Sequence, residues 1–249
     1  MTNQATATEL EQFATSLDED IRQRHPWVHS RWSQLLLTGK LSRQNLQEFA
    51  LEFEHFLRAA PRHFFCLGSN CPDIIPDDHD LRRIYALNLL DDMGVVEREK
   101  DHFQKFRNFC YHIGLKADQL ERSVPLPSTI AFNVGLMYLA RNLPHEEAMA
   151  ALQWATESLF YLRMTEPWEK ALIEQYGIPR EKLFLPPIEE EEEHVMPVRK
   201  AVLEYATSTR AQARIREIFR TTFSIWSVFF EGLYHNTIEN RGEDAVRFA

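Results

Sequence analysis

Apolar residues recur at three- and four-residue spacing along most of the chain, and strand-like alternation nowhere persists, so the pattern predicts an all-α protein. Phe13, Leu17 and Ile21 lay a stripe along a first helix over residues 7–24. It ends before His25-Pro26, since the residue ahead of a proline disfavours helical dihedrals. A second helix over 26–37 carries Trp27, Val28, Trp32, Leu35 and Leu36 and is stopped by Gly39. Ser42 is placed to cap a third, running towards Cys66 with a kink at Pro61. Further helices are predicted over 80–93, 98–113, 117–122, 128–142 and 144–165, with Gly94 and Gly114 as breaks. An acidic helix then leads to Ser208, and a terminal, strongly apolar helix over 210–240 is expected at the centre. The sum is a compact bundle of about seven to nine helices, with residues 1–240 as one domain and 241–249 as a mobile tail.

Charge and cysteine content narrow the partners. A net charge of −9 without a basic tract argues against nucleic acid or an anionic membrane surface as partner. The polar stretch from Met1 to Leu10 lacks the regions of a signal peptide, and no apolar run is long enough to span a bilayer, so a cytoplasmic location is expected. Cys66, Cys71 and Cys110 form neither a disulfide framework nor a repeated zinc pattern and read as buried or partly buried thiols.

Candidate chemistry gathers around Ile188-Glu-Glu-Glu-Glu-Glu-His194. On a helix, Glu190 and Glu191 stand four and three residues before His194 and share its face. Carboxylate and imidazole at this spacing are how helical bundles hold iron or manganese. A glutamate run near a helix N-terminus is equally a solvated face favoured by the dipole. Glu157 lies in the run 150–162, which is nearly devoid of other charge, where a carboxylate needs a cation or an ion-pair partner. Asp92 and His102 flank the break at Gly94 and could meet across a helical hairpin. Glu54 and His55, between Phe53 and Phe56, read either as a pair facing a pocket or, the preferred reading, as a surface carboxylate beside a core-edge imidazole.

Asn88-Leu-Leu-Asp-Asp92-Met-Gly94, His102 and Gly114-Leu115, with His25-Pro-Trp-Val-His29 and Gly39-Lys-Leu-Ser-Arg-Gln-Asn-Leu-Gln-Glu-Phe49 before them, resemble the heme-oxygenase-like helical family of TenA, PqqC and the non-heme di-iron oxidases over roughly residues 10–240. The di-iron branch is the most similar. The resemblance implies an O2-activating iron oxidase acting on a small amino-acid-like or fatty-acid-like metabolite in biosynthesis, with two irons, O2 as co-substrate and room for a homodimer. Carried over by position, Asp92 matches the first carboxylate, His102 the first imidazole, Glu157 the lone glutamate, Glu191 the aspartate and His194 the last histidine. Pro187 stands where a further histidine is usual, and Glu190, Glu189 or even Glu54 and His55 are the replacement donors considered for it. Two alternatives follow from the same resemblance and fold. One is a metal-free oxidase of the PqqC type, using His25, His29, His102 and Glu157 as acids and bases; the other is a non-catalytic helical binding protein.

Overall fold

The computed structural model describes residues 5–71, 101–185 and 188–239 and the single positions 86, 89, 90, 93 and 95; of 188–193 it describes the helical backbone alone. Among the described residues the regular structure is entirely helical. Helix α1 (Ala7–Arg24) begins in a capping box, with the Glu9 amide donating to Thr6 Oγ1 and the Thr6 amide to the Glu9 carboxylate. The predicted helix over 26–37 is two, α2 (Pro26–His29) and α3 (Arg31–Leu37). Ser30 breaks it by taking up extended dihedrals and accepting a hydrogen bond from the Ser33 amide, the local competition a serine offers a helix. The break lets both Trp27 and Trp32 turn inward.

Helix α4 (Arg43–Ser69), capped by Ser42, continues through Pro61. Then come α5 (His102–His112), capped by Asp101, α6 (Ala117–Arg122) and α7 (Pro127–Asn142). The stretch predicted as one helix over 144–165 is interrupted: α8 (His145–Met149) passes through a π turn (Ala150–Trp154) into α9 (Ala155–Tyr161). There the Ala155 amide reaches back five residues to the Ala150 carbonyl, and Thr156 Oγ1 donates to the Ala151 carbonyl. Helix α10 (Glu166–Glu174) was not expected from the pattern. Helices α11 (Ile188–Tyr205) and α12 (Thr209–Tyr234) follow, the latter running into a second π turn (His235–Glu239).

One cluster of buried residues runs from Phe13 to Leu233. Helix α12 lies along its middle, burying Ile215, Ile218, Phe219, Phe223, Trp226, Phe229, Phe230 and Leu233. It approaches α7 closely at two glycines: Gly232 packs onto the Ser128 side chain, and Gly135 onto Ile225. Interlocking rings join α2, α4, α7, α10 and α12, with Trp27 stacked on Trp168 at 4.5 Å and Phe132 against Trp226 at 4.6 Å between ring centres. No described helix is long and apolar enough to cross a membrane.

Candidate functional site

At the heart of the bundle the ring packing leaves a cavity of about 130 Å³. Its walls are mostly apolar, with Trp27, Phe53, Phe56, Phe160, Phe184 and Trp226 prominent among them. Four ionisable side chains reach the same space from four helices: His63 from α4, His102 from the first position of α5, Glu157 from α9 and His194 from α11. Thr156 also lines it, but its hydroxyl is engaged with the Ala151 carbonyl and receives the Trp226 indole N–H at 3.4 Å.

Three of the residues singled out in the sequence, His102, Glu157 and His194, therefore share one cavity. Asp92 and Pro187 lie outside the described residues, as do the side chains of Glu190 and Glu191, so the expected meeting of Asp92 with His102 does too. Among the described residues no three His, Cys, Asp or Glu side chains form a group able to hold a metal ion. What the described part of the cavity offers is three imidazoles and a carboxylate in a nearly apolar enclosure, a donor chemistry that suits iron.

His63 escaped the sequence reading. Its signal was present, for Phe49, Phe53, Phe56, Ala60, His63 and Leu67 follow one another at alternating four- and three-residue steps on the buried face of α4. The imidazole is 4 % exposed, and burial pushes its pKa down to about 4, with a hydrogen bond to the Asn133 backbone opposing the shift.

His25 and His29 are not among the residues lining the cavity. His25 is wholly buried against Phe223 and Trp226, accepts the Trp27 amide on Nδ1, and is held neutral by burial, its pKa near 3. His29 is exposed, its Nε2 at 2.6 Å from the Arg22 carbonyl oxygen. Glu54 is also not where the pattern put it. It is fully buried, because Arg58 and Arg107 reach its Oε1 at 3.1 and 3.0 Å and supply the counter-charge that the surrounding rings lack. His55 turns to Ser123 instead. Burial, reinforced by Glu54, raises the Cys110 thiol far above its ordinary range, so it is not a nucleophile.

A buried polar cluster ties together the elements that carry Glu157 and His194. Asp18 on α1 accepts the Trp154 indole N–H at 2.9 Å and pairs with Arg199 at 3.3 Å, while the Arg199 guanidinium lies over the Trp154 ring. Trp154 is three residues before Glu157, and Arg199 five after His194. On the same side of the bundle, Glu147 accepts from Tyr205 and Arg214 at 3.1 and 3.0 Å, joining α8 to α11 and α12.

Residues 47–227 match a protein family described as iron-containing redox enzymes. A 4-aminobenzoate synthase of Chlamydia muridarum is 24 % identical over 227 residues, covering 88 % of this chain and 90 % of that protein. A second 4-aminobenzoate synthase, from Chlamydia pneumoniae, is 29 % identical over 107 residues, 42 % of each chain. Among solved structures, a domain of unknown function with a heme oxygenase-like fold from Shewanella denitrificans superposes with a TM-score of 0.72 at 14 % identity, covering 98 % of this chain and 99 % of the other. A CADD-like protein of unknown function from Nostoc punctiforme gives 0.71 at 13 % identity, with 93 % and 100 % covered. The fold is thus heme-oxygenase-like.

Proposed function

The chain belongs to the iron-containing redox enzymes, and from that premise we propose that it is an O2-dependent oxidase of small metabolites whose iron site draws on His102, Glu157 and His194 and is completed by donors outside the described residues. The observation that carries this reading is their convergence, from three separate helices, on one apolar cavity. Asp92, Glu191 and Glu190 complete the donor set by resemblance to the di-iron oxidases, with two irons as the expected complement and the one near Pro187 the more weakly held. The similarity to 4-aminobenzoate synthases supports a biosynthetic role and an aromatic compound as substrate or product.

Iron, once bound, would supply the electron transfer to O2 that no side chain here can perform. The chain does the rest. Glu157 brings a negative charge into an enclosure where a cation is the natural counterweight. His102 and His194 offer imidazole nitrogen donors. The ring walls exclude water, which strengthens every electrostatic contact within and limits side reactions. The metal-free alternative is weakened, since two of its four groups, His25 and His29, are not part of the cavity wall.

The test is anaerobic loading with ferrous iron, followed by metal analysis and O2 uptake, on the wild type and Glu157→Gln. The reading expects iron bound at one to two per chain, and a loss of at least one iron and of O2 uptake in the variant. Iron at background in the wild type, or unchanged iron and O2 uptake in Glu157→Gln, would refute it.

A further inference from the structure

The cavity contains a buried imidazole that the donor set does not use. We propose that His63 orients the substrate, accepting a hydrogen bond from a hydroxyl or amino group on a neutral molecule about one aromatic ring in size. The proposal rests on the oxidase reading above and narrows its substrate class.

Size comes first. An apolar cavity of about 150 Å³ is known to take up benzene, and the space here is about 130 Å³. A single ring or a chain of comparable bulk fills it. Charge comes second. None of the described residues lining the cavity is Lys or Arg, so a carboxylate or phosphate on the substrate would be desolvated without a basic side chain to meet it.

Polarity comes third. The Thr156 hydroxyl is already bonded on both its donor and acceptor sides. Glu157, His102 and His194 are assigned to iron. His63 remains, since the resemblance assigns it no ligand position. A neutral imidazole keeps an N–H on one ring nitrogen. The other ring nitrogen is then a lone-pair acceptor, and the imidazole is kept neutral by its burial. A neutral acceptor in an apolar box selects an O–H or N–H donor. The rings of Phe56 and His63 lie 6.5 Å apart, so a substrate ring entering beside the imidazole meets an aromatic wall as well.

The probes are phenol, aniline and toluene, which share a ring and differ in the donor. Their binding to the full chain, metal-loaded under anaerobic conditions and metal-free, is followed by calorimetry and by tryptophan fluorescence, for Trp27 and Trp226 line the cavity. One hydrogen bond to a neutral acceptor predicts phenol and aniline binding roughly five- to tenfold tighter than toluene. His63→Leu should abolish that preference while still binding toluene, which also shows that the variant is folded. His63→Gln, which keeps an acceptor, should restore part of it. Iron stoichiometry should be the same in all three proteins. A preference that survives in His63→Leu overturns the proposal, as does loss of iron in that variant, which would make His63 a ligand. Failure of the wild type to bind any of the three rings while still binding iron overturns the size argument and leaves the oxidase reading standing. A His63-dependent preference in a wild type that binds no iron supports the recognition role and removes the oxidase reading instead.

Discussion

Replacing Asp18 by Asn tests whether the cluster beneath the cavity holds the donor-bearing helices in place. The amide keeps the size and can still accept the Trp154 indole N–H, so the change falls on Arg199, which loses its buried counter-charge. The Arg199 side chain is only 11 % exposed. Removing one partner of a buried pair typically costs about 3–5 kcal/mol. Two contacts soften the loss here: Glu11 at 3.1 Å, itself mostly exposed and worth about 1 kcal/mol or less, and the face of Trp154. We expect Asp18→Asn to lower stability by about 2–3 kcal/mol in urea titrations followed by circular dichroism.

The double variant is the sharper measurement. Burial raises the Asp18 carboxyl pKa despite the opposing pull of Trp154 and Arg199, so desolvation of the two charges offsets much of what their pairing returns. Asp18→Asn with Arg199→Met should therefore recover most of the single-variant loss, ending within about 1 kcal/mol of wild type. A double-variant loss equal to the sum of the two single losses would refute the argument. The single variant should also weaken iron binding about tenfold, the usual scale for outer contacts that fix ligand orientation. Lost stability with unchanged iron affinity would leave the cluster a role in folding alone.

Gly232→Ala should destabilise by about 1–3 kcal/mol, because the new methyl falls on both side-chain atoms of Ser128 and Cβ cannot rotate out of the way; pairing it with Ser128→Gly should return part of the loss, and an unaltered melting temperature in the single variant would contradict the close approach of α7 and α12. Stability should also drop on acidification between pH 6.5 and 4. The folded imidazoles of His25 and His63 are held to pKa values near 3 and 4 while the unfolded ones protonate near 6.5, so each disfavours folding by about 3 kcal/mol at pH 4. Chemical denaturation at the two pH values checks this, and a flat profile would mean that neither ring is kept neutral by the fold.

Where helix ends are written in local chemistry, they were legible. The stop before Pro26, the Ser42 cap and the short helix Ala117–Arg122 coincide with the structure because proline sterics, hydroxyl capping and glycine breaks act over a few residues. Glu157 was legible as a candidate because its neighbours carry no charge, and His194 because of the carboxylates before it. Glu54 was misread as a surface residue since its partner Arg107 lies 53 positions away, a distance no periodicity encodes. The Ser30 break depended on two tryptophans competing for one core, and α10 was overlooked although Trp168, Ala171 and Leu172 carry its apolar spacing after a proline at the first turn.

The π turn shows why the remainder could not be read. Residues 147–155 are buried on every side, so their apolar run carries no phase from which an extra residue could be detected. The phase is set by tertiary contacts. Trp154 is engaged by Asp18 and Arg199, while three residues later Glu157 lines the cavity. In a regular α-helix, residues three apart share a face, which would carry Glu157 round towards α1 with Trp154. The wider turn ending at Trp154, with the Ala155 amide bonded five residues back and the Thr156 hydroxyl occupying the Ala151 carbonyl, rotates the following helix relative to the preceding one. That rotation sets the phase of α9 independently of α8, so that Glu157 comes to the cavity wall while Trp154 keeps its contacts with Asp18 and Arg199. The π turn thereby serves the site rather than marking a defect in the helix, and its position next to the one carboxylate described in the cavity wall follows from those two opposed demands.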